Sequence, residues 1–579
     1  MKKIQAGRLA HALILAGSVA ALSACGGSGG SGGSGGGSST PTPPQNYTVG
    51  GSLSGLSPSA TLVLLDNNTN ALTISSNGSF VFTDALTSGS GYAITVGTEP
   101  SGQTCSVAGG SGTVGSSNVT NVMVSCKSDT YTIGGTIQGL SDPGLVLANG
   151  SDTLNVAPGA TSFTMPTAVA NGSTYSVIVQ THPIAVSCMV TDGAGAVTGA
   201  DVTSITISCG PGTESVLHSF FDGLTDGGGP AGSLIQASDG NFYGTTPSGG
   251  ANDVGTVFKI TPAGTETVLY SFKGAPADGA EEPGTPDGLI QASDGNFYGM
   301  TQLGGANGFG TVFEITPTGT ETVLYSFKGG ASDGARPNGD LVQAGNGNFY
   351  GTTQLGGANG FGTVFEITPT GTETVLYSFK GGPSDGAEAP GCPGSLIQAG
   401  DGNFYGMTDE GGANGFGTVF EITPAGVETV LYSFKGGTVD GANPYDSLIQ
   451  AQDGDFYGVT QRGGTDNSGT VFKMTPSGTE TVLHSFTGGA SDGAVPPGSL
   501  IQASDGNFYG MTYAGGVDSF GTVFSVSPGG TERIVYSFKG GPSDGANPNG
   551  SLIETSDGNL YGMTPGGGLI GAGVVFALD

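Results

Sequence analysis

Positive charge is what this chain most conspicuously lacks. Of its 579 residues only 10% are charged, and 14 Lys and Arg stand against 46 Asp and Glu, for a formal net charge of −32. Nucleic-acid affinity rests on cations that neutralise phosphates, so this balance argues against DNA or RNA as a partner. It argues equally against docking on anionic headgroups. Acidity otherwise bears on solubility more than on function. Long helices are missing too. They need Ala, Leu, Glu, Lys and Arg in a 3.6-residue pattern, and beyond the first two dozen residues no segment offers one. Nor does any later stretch approach the roughly 18 apolar residues of a membrane-spanning helix. What the chain has instead is 113 Gly, abundant Asn, Ser and Thr, and short alternating runs. That composition predicts an all-β protein of several domains.

The N-terminus sets the compartment. Met1-Lys2-Lys3 is followed by an apolar run from Leu9 to Leu22 and then by Leu22-Ser23-Ala24-Cys25. A basic start, a short apolar core and small residues before a cut site describe a signal peptide over 1–24. The tetrad resembles the bacterial lipobox, which implies lipidation of Cys25 and attachment to a membrane through that lipid. Gly26, where an Asp would favour inner-membrane retention, points to the outer membrane and cell surface. Residues 26–39 are all Gly or Ser, followed by Thr40-Pro41-Thr42-Pro43-Pro44. Residues 25–46 thus read as a lipid-bearing tether with a stiffer end.

Residues 47–127 and 131–209 resemble one another. One opens Tyr47-Thr-Val-Gly-Gly-Ser-Leu-Ser-Gly-Leu56, the other Tyr131-Thr-Ile-Gly-Gly-Thr-Ile-Gln-Gly-Leu140. Short runs such as Ser79–Phe82 and Tyr175–Val179 between polar turns predict two small immunoglobulin-like β-sandwiches. Cys105 and Cys126 are 21 residues apart, and Cys188 and Cys209 repeat the spacing. In an exported chain each pair reads as a disulfide. With no His near the first pair and only His182 near the second, zinc is not expected at either. A stalk is the plain expectation for such domains, and adhesion the alternative.

From residue 213 onwards the sequence repeats. The hexad Asp239-Gly-Asn-Phe-Tyr-Gly244 recurs from Asp294, Asn346, Asp401, Asp453, Asp505 and Asp557, at intervals of 52 or 55 residues. Each of these seven units holds four strand-like runs, for example 289–293, 297–301, 311–316 and 322–327, with Asp-Gly-Asn and Pro-Thr-Gly turns suited to hairpins. Units of about 50 residues with four antiparallel strands are propeller blades. Glu214–Phe220 is a fourth strand with no blade before it, and the last unit stops after three. Joining the two ends closes a seven-bladed β-propeller over 213–579 and removes its free edges. Simple alternation places Val216 and Phe220 on one face of that strand and Leu217 on the other. The second-to-third loops and the blade-to-blade connections are longer and more variable than the tight turns, and they share one face, where binding is expected.

At these residues the chain resembles the bacterial Gloeo/Verruco tandem repeat, whose pattern runs Asp-Gly-Asn-Leu-Tyr-Gly-Thr-Thr, Gly-Gly, Gly-Thr-Val-Phe-Lys-Ile-Thr and Leu-Tyr-Ser-Phe. Asp239 to Thr246, Gly255 to Thr261 and Leu269 to Phe272 match it most clearly. The resemblance implies varied surface anchoring, in keeping with Cys25, and no general catalytic motif.

Chemistry-bearing residues mostly repeat with the units. His218 and His484 occupy a slot that is Tyr in Tyr270, Tyr325, Tyr377, Tyr432 and Tyr536, which makes them aromatic substitutes. Glu214, Glu266, Glu321, Glu373, Glu428, Glu480 and Glu532 read as a structural or solvated ring. Lys273, Lys328, Lys380, Lys435 and Lys539 each precede an Asp by five residues, as surface ion pairs do. No cofactor is implied. Calcium is the one ion to weigh, with Asp226, Asp278, Asp333, Asp385, Asp440, Asp492 and Asp544 as candidate ligands in Asp-Gly loops. Loop-turn chemistry accounts for them as well. Cys392 is a lone thiol in a Pro-Gly loop. No catalytic set emerges. The expected function is therefore a surface binding or adhesion module for glycan, protein or polymer, with passive display as the alternative and an enzyme least supported.

Overall fold

The structure, a computed structural model, describes residues 44–280, 288–387 and 394–579. Cys25, with most of the tether, and Cys392 lie outside the described residues. These form two compact units that divide after Lys127. All regular structure is β, and no helix among the described residues is long and apolar enough to cross a membrane.

The first unit packs two four-stranded sheets. One runs Gly78–Val81, Val49–Ser54, Val119–Ser128, Gln103–Ala108, and the other Asn70–Ile74, Leu62–Asp66, Gly91–Thr98, Ser111–Thr113. Alternation builds the core: Val122, Val124 and Cys126 point inward while the residues between them are exposed. Residues 131–211 repeat this strand order within the second unit. Both expected disulfides form, Cys105–Cys126 and Cys188–Cys209. Each staples neighbouring strands of one sheet, with Cys188 directly opposite Cys209, whereas the disulfide of antibody domains joins the two sheets.

From Glu214 on, the described residues of the second unit form seven antiparallel sheets of four or five strands, with five two-stranded ribbons beside them. Sheet 1 runs Ile235–Gln236, Phe242–Thr246, Thr256–Ile260, Glu266–Ser271, and the next five follow the same order along the chain. Sheet 5 gains the short strand Gly441–Pro444. The first strands are shorter than the sequence suggests, two or three residues in most sheets. Sheet 7 takes its outer strand from the start of the array, Glu214–Ser219 pairing with Val574–Leu578.

Each sheet packs between two others, so the inner strands are buried on both faces. In Thr311–Ile315, Val312 enters the core shared by sheets 2 and 3, while Phe313 and Ile315 enter that of sheets 1 and 2. Seven such cores follow in turn, and the last joins Phe576's sheet 7 to sheet 1 through Phe220, Leu234, Phe258, Met563 and Val575. The hexad supplies this packing. Its Tyr stacks on the Phe of the next sheet, as in Tyr298–Phe349 at 4.2 Å, and Tyr561–Phe242 at 4.5 Å joins the last sheet to the first. Its final Gly makes room for a ring from the adjacent strand. A Cβ on Gly299 would stand 2.7 Å from Phe313 Cζ.

The outer strand of sheet 7 departs from simple alternation. Val216 packs into the core of sheets 6 and 7, whereas both Leu217 and Phe220 face that of sheets 7 and 1. A bulge between Val216 and His218 takes Leu217 out of register, which reverses the facing of every later residue.

Ile184 and Ala185 of the second small domain are buried with Tyr509, Leu552 and Leu578 of sheets 6 and 7. Arg533 Nη1 reaches Asp142 at 3.3 Å beside them. The cleft here, about 230 Å³, is lined by His182, Ser504, Asp505 and Gly558, so the small domain covers the Asp-Gly-Asn turns of these sheets. That leaves the long-loop ends of sheets 6 and 7 on the side away from it.

Candidate functional site

The hexad Asp is a hairpin anchor. Asp239 Oδ1 accepts the Asn241 amide at 3.0 Å, and Oδ2 accepts Tyr243 Oη at 2.8 Å and Lys259 Nζ at 2.8 Å. Burial pushes the carboxyl up, but these donors outweigh it and hold Asp239 below its ordinary range. In unit 3 Asn346 keeps the turn, and Glu366 accepts the Tyr350 hydroxyl instead.

The seven candidate calcium ligands sit in the sheet-to-sheet connections and are all buried. Asp333 is typical: Oδ1 accepts the Gly334 amide at 2.7 Å, while Oδ2 accepts the Lys328 amide at 2.7 Å and Tyr325 Oη at 2.9 Å. Oδ1 therefore fixes the turn of the loop itself, and Oδ2 holds the loop to the outer strand. Of the five expected Lys–Asp pairs, Lys273–Asp278 and Lys380–Asp385 come within 4 Å, and they are half-buried rather than superficial. Lys380 Nζ, largely exposed, lies 3.6 Å from an Asp385 carboxylate that is 2% exposed. Each Lys ammonium also sits over the Tyr ring, 4.8 Å away at Tyr377.

The Glu ring meets these loops. Each Glu starts an outer strand and faces the Asp cluster of the preceding sheet, and its Oε1 is buried without a hydrogen-bond partner. Burial, reinforced by Asp333, Asp385 and Asp440, pushes Glu373, Glu428 and Glu480 up to about 7. A solvated ring is thus not what forms. His218 and His484 lie in two of the same clusters, with Nε2 3.4 Å from Asp226 and Asp492 respectively.

Two features escaped the sequence reading. Asp446, fully enclosed, accepts Ser395 Oγ at 3.1 Å and the Ser499 amide at 3.0 Å, and Ser551 Oγ lies 3.4 Å away. These residues precede the first strands of sheets 4 to 7, so their inner edges converge on one carboxyl, which burial pushes up. The second feature is a row of aromatics on the long loops. Phe309, Phe361, Phe416 and Phe520 occupy one repeat position and are 44%, 43%, 41% and 39% exposed. Each ring lies against the Lys-Gly-Gly connection that follows. Gly381, at φ +65°, would place a Cβ 3.1 Å from Phe361, so both backbone and space require Gly there. Backbone bonds join the two segments, as from the Arg336 amide to the Phe309 carbonyl at 2.9 Å. The legible signal was an aromatic inside a Gly-rich loop, where no strand alternation asks for one.

Tandem four-stranded sheets, most of them pinned by an Asp-anchored hairpin and packed Tyr on Phe against the next, define an all-β repeat protein. The chain belongs to the Gloeobacter/Verrucomicrobia repeat family, whose model matches residues 186–392 and 389–576, together more than half its length. No curated protein matches it in sequence. Among solved structures it is similar to virginiamycin B lyase from Staphylococcus aureus, at 14% identity over 64% of this chain and 99% of that one, with a TM-score of 0.40. It is also similar to the extracellular domain of a putative hybrid two component system from B. thetaiotaomicron, at 11% identity over 68% and 45% and a TM-score of 0.39. A putative 6-phosphogluconolactonase from Bacteroides uniformis matches at 18% identity over 57% and 87%, with a TM-score of 0.36. Likenesses this distant transfer no activity to the chain.

Proposed function

We propose that the chain is a surface-anchored lipoprotein that displays a seven-bladed β-propeller as a binding module for glycan, protein or polymer. In this reading the seven sheets are blades closed by residues 214–219, and the immunoglobulin-like domains are a stalk. Residues 25–46 are the tether, and the Cys25 lipid holds the chain at the outer membrane. The supporting observation is the row of exposed rings at Phe309, Phe361, Phe416 and Phe520. Exposed apolar groups that recur on one face mark interaction surfaces. Aromatic rings also present flat area at low entropic cost. Because the contacts repeat, a repetitive ligand would gain by avidity more than by any single pocket. The chemistry-bearing clusters bind their own loops, which supports a non-enzymatic role. Passive display is the runner-up reading.

The test is a screen of the full chain against glycans, surface proteins and polymers, beside a variant with all four Phe changed to Ser. The expected result is a ligand whose avidity drops roughly tenfold or more in the variant, while the chain stays folded with a melting temperature lowered by the lost ring packing. Absence of any ligand in a sensitive screen would favour passive display.

A further inference from the structure

In five of the seven Asp–Glu clusters, a Tyr and a Lys from the outer strand and the residues just after it complete the site. Lys273, Lys328, Lys380, Lys435 and Lys539 lie 4.8 to 5.7 Å above their Tyr rings. In the other two, both residues change together. His218 and His484 stand in the Tyr position, and Phe221 and Thr487 in the Lys position. The carboxylate pairs Asp226 with Glu266 and Asp492 with Glu532 are kept there without their ammonium. Arg533, next to Glu532, is paired with Asp142 at 3.3 Å and does not take its place.

The geometry of these two clusters is that of ligands. One donor atom from each of His218, Asp226 and Glu266 lies within 4.8 Å of the other two, and the same holds for His484, Asp492 and Glu532. His Nε2 stands 3.4 Å from Asp Oδ1 in both. A tetrahedral zinc ion with bonds of about 2.0–2.1 Å separates neighbouring ligand atoms by about 3.4 Å. Glu266 and Glu532 each add a buried Oε1 that has no hydrogen-bond partner. The lysine clusters share that orphaned oxygen, so what sets these two apart is the joint exchange of Tyr for His and of Lys for an uncharged residue.

We propose that His218–Asp226–Glu266 and His484–Asp492–Glu532 are two Zn²⁺ sites that cross-link neighbouring sheets. An imidazole with two carboxylates suits zinc better than calcium or magnesium, which prefer all-oxygen shells. The double positive charge answers the carboxylate pair where the ammonium is missing, and a fourth position is left for water. Outer contacts already aim the Asp ligands. The Gly227 and Phe221 amides hold Asp226 at 2.7 and 2.9 Å, and the Gly493 and Thr487 amides hold Asp492, both at 2.7 Å. His218 belongs to the closing strand of sheet 7 and Glu266 to the outer strand of sheet 1, so the first ion clamps the seam of the array. The second ties the outer strands of sheets 5 and 6.

The test uses the full chain, stripped with chelator, dialysed against zinc chloride and assayed for bound metal and melting temperature. Two zinc ions per chain and a raised melting temperature are expected. His218→Tyr with Phe221→Lys installs the pair found in the other five clusters, so it should keep the fold and lose one equivalent. His484→Tyr with Thr487→Lys should lose the other. Glu266→Gln and Glu532→Gln are the fallback if a double variant misfolds, each removing one ligand with little change of shape. Cobalt(II) should give the visible band of a tetrahedral site in the wild type and none in the combined variant. No zinc retained by the wild type, or two equivalents still held by the combined variant, would overturn the proposal.

Discussion

Thr213 donates to Asp579 Oδ1 from both its amide, at 3.1 Å, and its hydroxyl, at 2.7 Å, although 366 residues separate the two. The contact fastens the two ends of the repeat array beside the pairing of Glu214–Ser219 with Val574–Leu578. Phe220, which follows that strand, is fully buried against Phe258 of sheet 1 at 5.2 Å, while Phe221 is 48% exposed.

Adjacent phenylalanines should therefore differ sharply. Phe220→Ala is expected to cost about 3–5 kcal/mol, as for other buried aromatics. Phe221→Ala in metal-free protein should fall within about 0.5 kcal/mol of wild type. A chain beginning at Gly223 should aggregate or melt well below one beginning at Gly210. Urea unfolding measures the first pair and calorimetry the second. Equal stability of the two Ala variants would show that the seam does not hold the array together.

Much of this was legible because the sequence repeats. Seven hexads at near-constant spacing located the sheets, and the unmatched run 214–220 located the outer strand of sheet 7. The facing of Phe220 was not legible. A bulge leaves no mark in a run of apolar residues, and one residue out of register inverts the rest. The Glu ring stayed undecided between a structural and a solvated reading for a different reason. Glu373 looks solvated in its own strand, and only the loop of the preceding sheet, which brings Asp333 against it, makes its surroundings enclosed. Phe309 and its equivalents escaped because alternation assigns faces to strands and says nothing about loops.

Anchoring depends on Cys25 alone in this reading. Cys25→Ser should abolish lipidation and move the protein from the membrane fraction to the soluble one, measured by fractionation and immunoblot. Full membrane retention of the variant would mean that a second anchor exists.

The buried glutamates give stability an unusual pH profile. Glu373, Glu428 and Glu480 are pushed from the usual 4.5 up to about 7, by burial first and then by Asp333, Asp385 and Asp440. A raised carboxyl pKa means that the folded state holds the proton more tightly than the unfolded state does. Its contribution is therefore complete below about pH 4.5 and is lost as pH rises through about 7. Asp453 and Asp492 act in the opposite sense. Against the upward push of burial, Lys473 and Tyr457 hold Asp453 below its usual 3.8, and His484 and Thr487 do so for Asp492. Those carboxylates stabilise above about pH 4 and fail as pH falls below it. The melting temperature of metal-free protein should thus peak near pH 5 and decline towards pH 8. Glu373→Gln, which mimics the protonated acid, should flatten the decline and raise the melting temperature at pH 8 while leaving it nearly unchanged at pH 5. A wild-type melting temperature that is level or rising between pH 5 and 8 would mean that these glutamates are ionised in the folded chain and that the Asp loops do not enclose them.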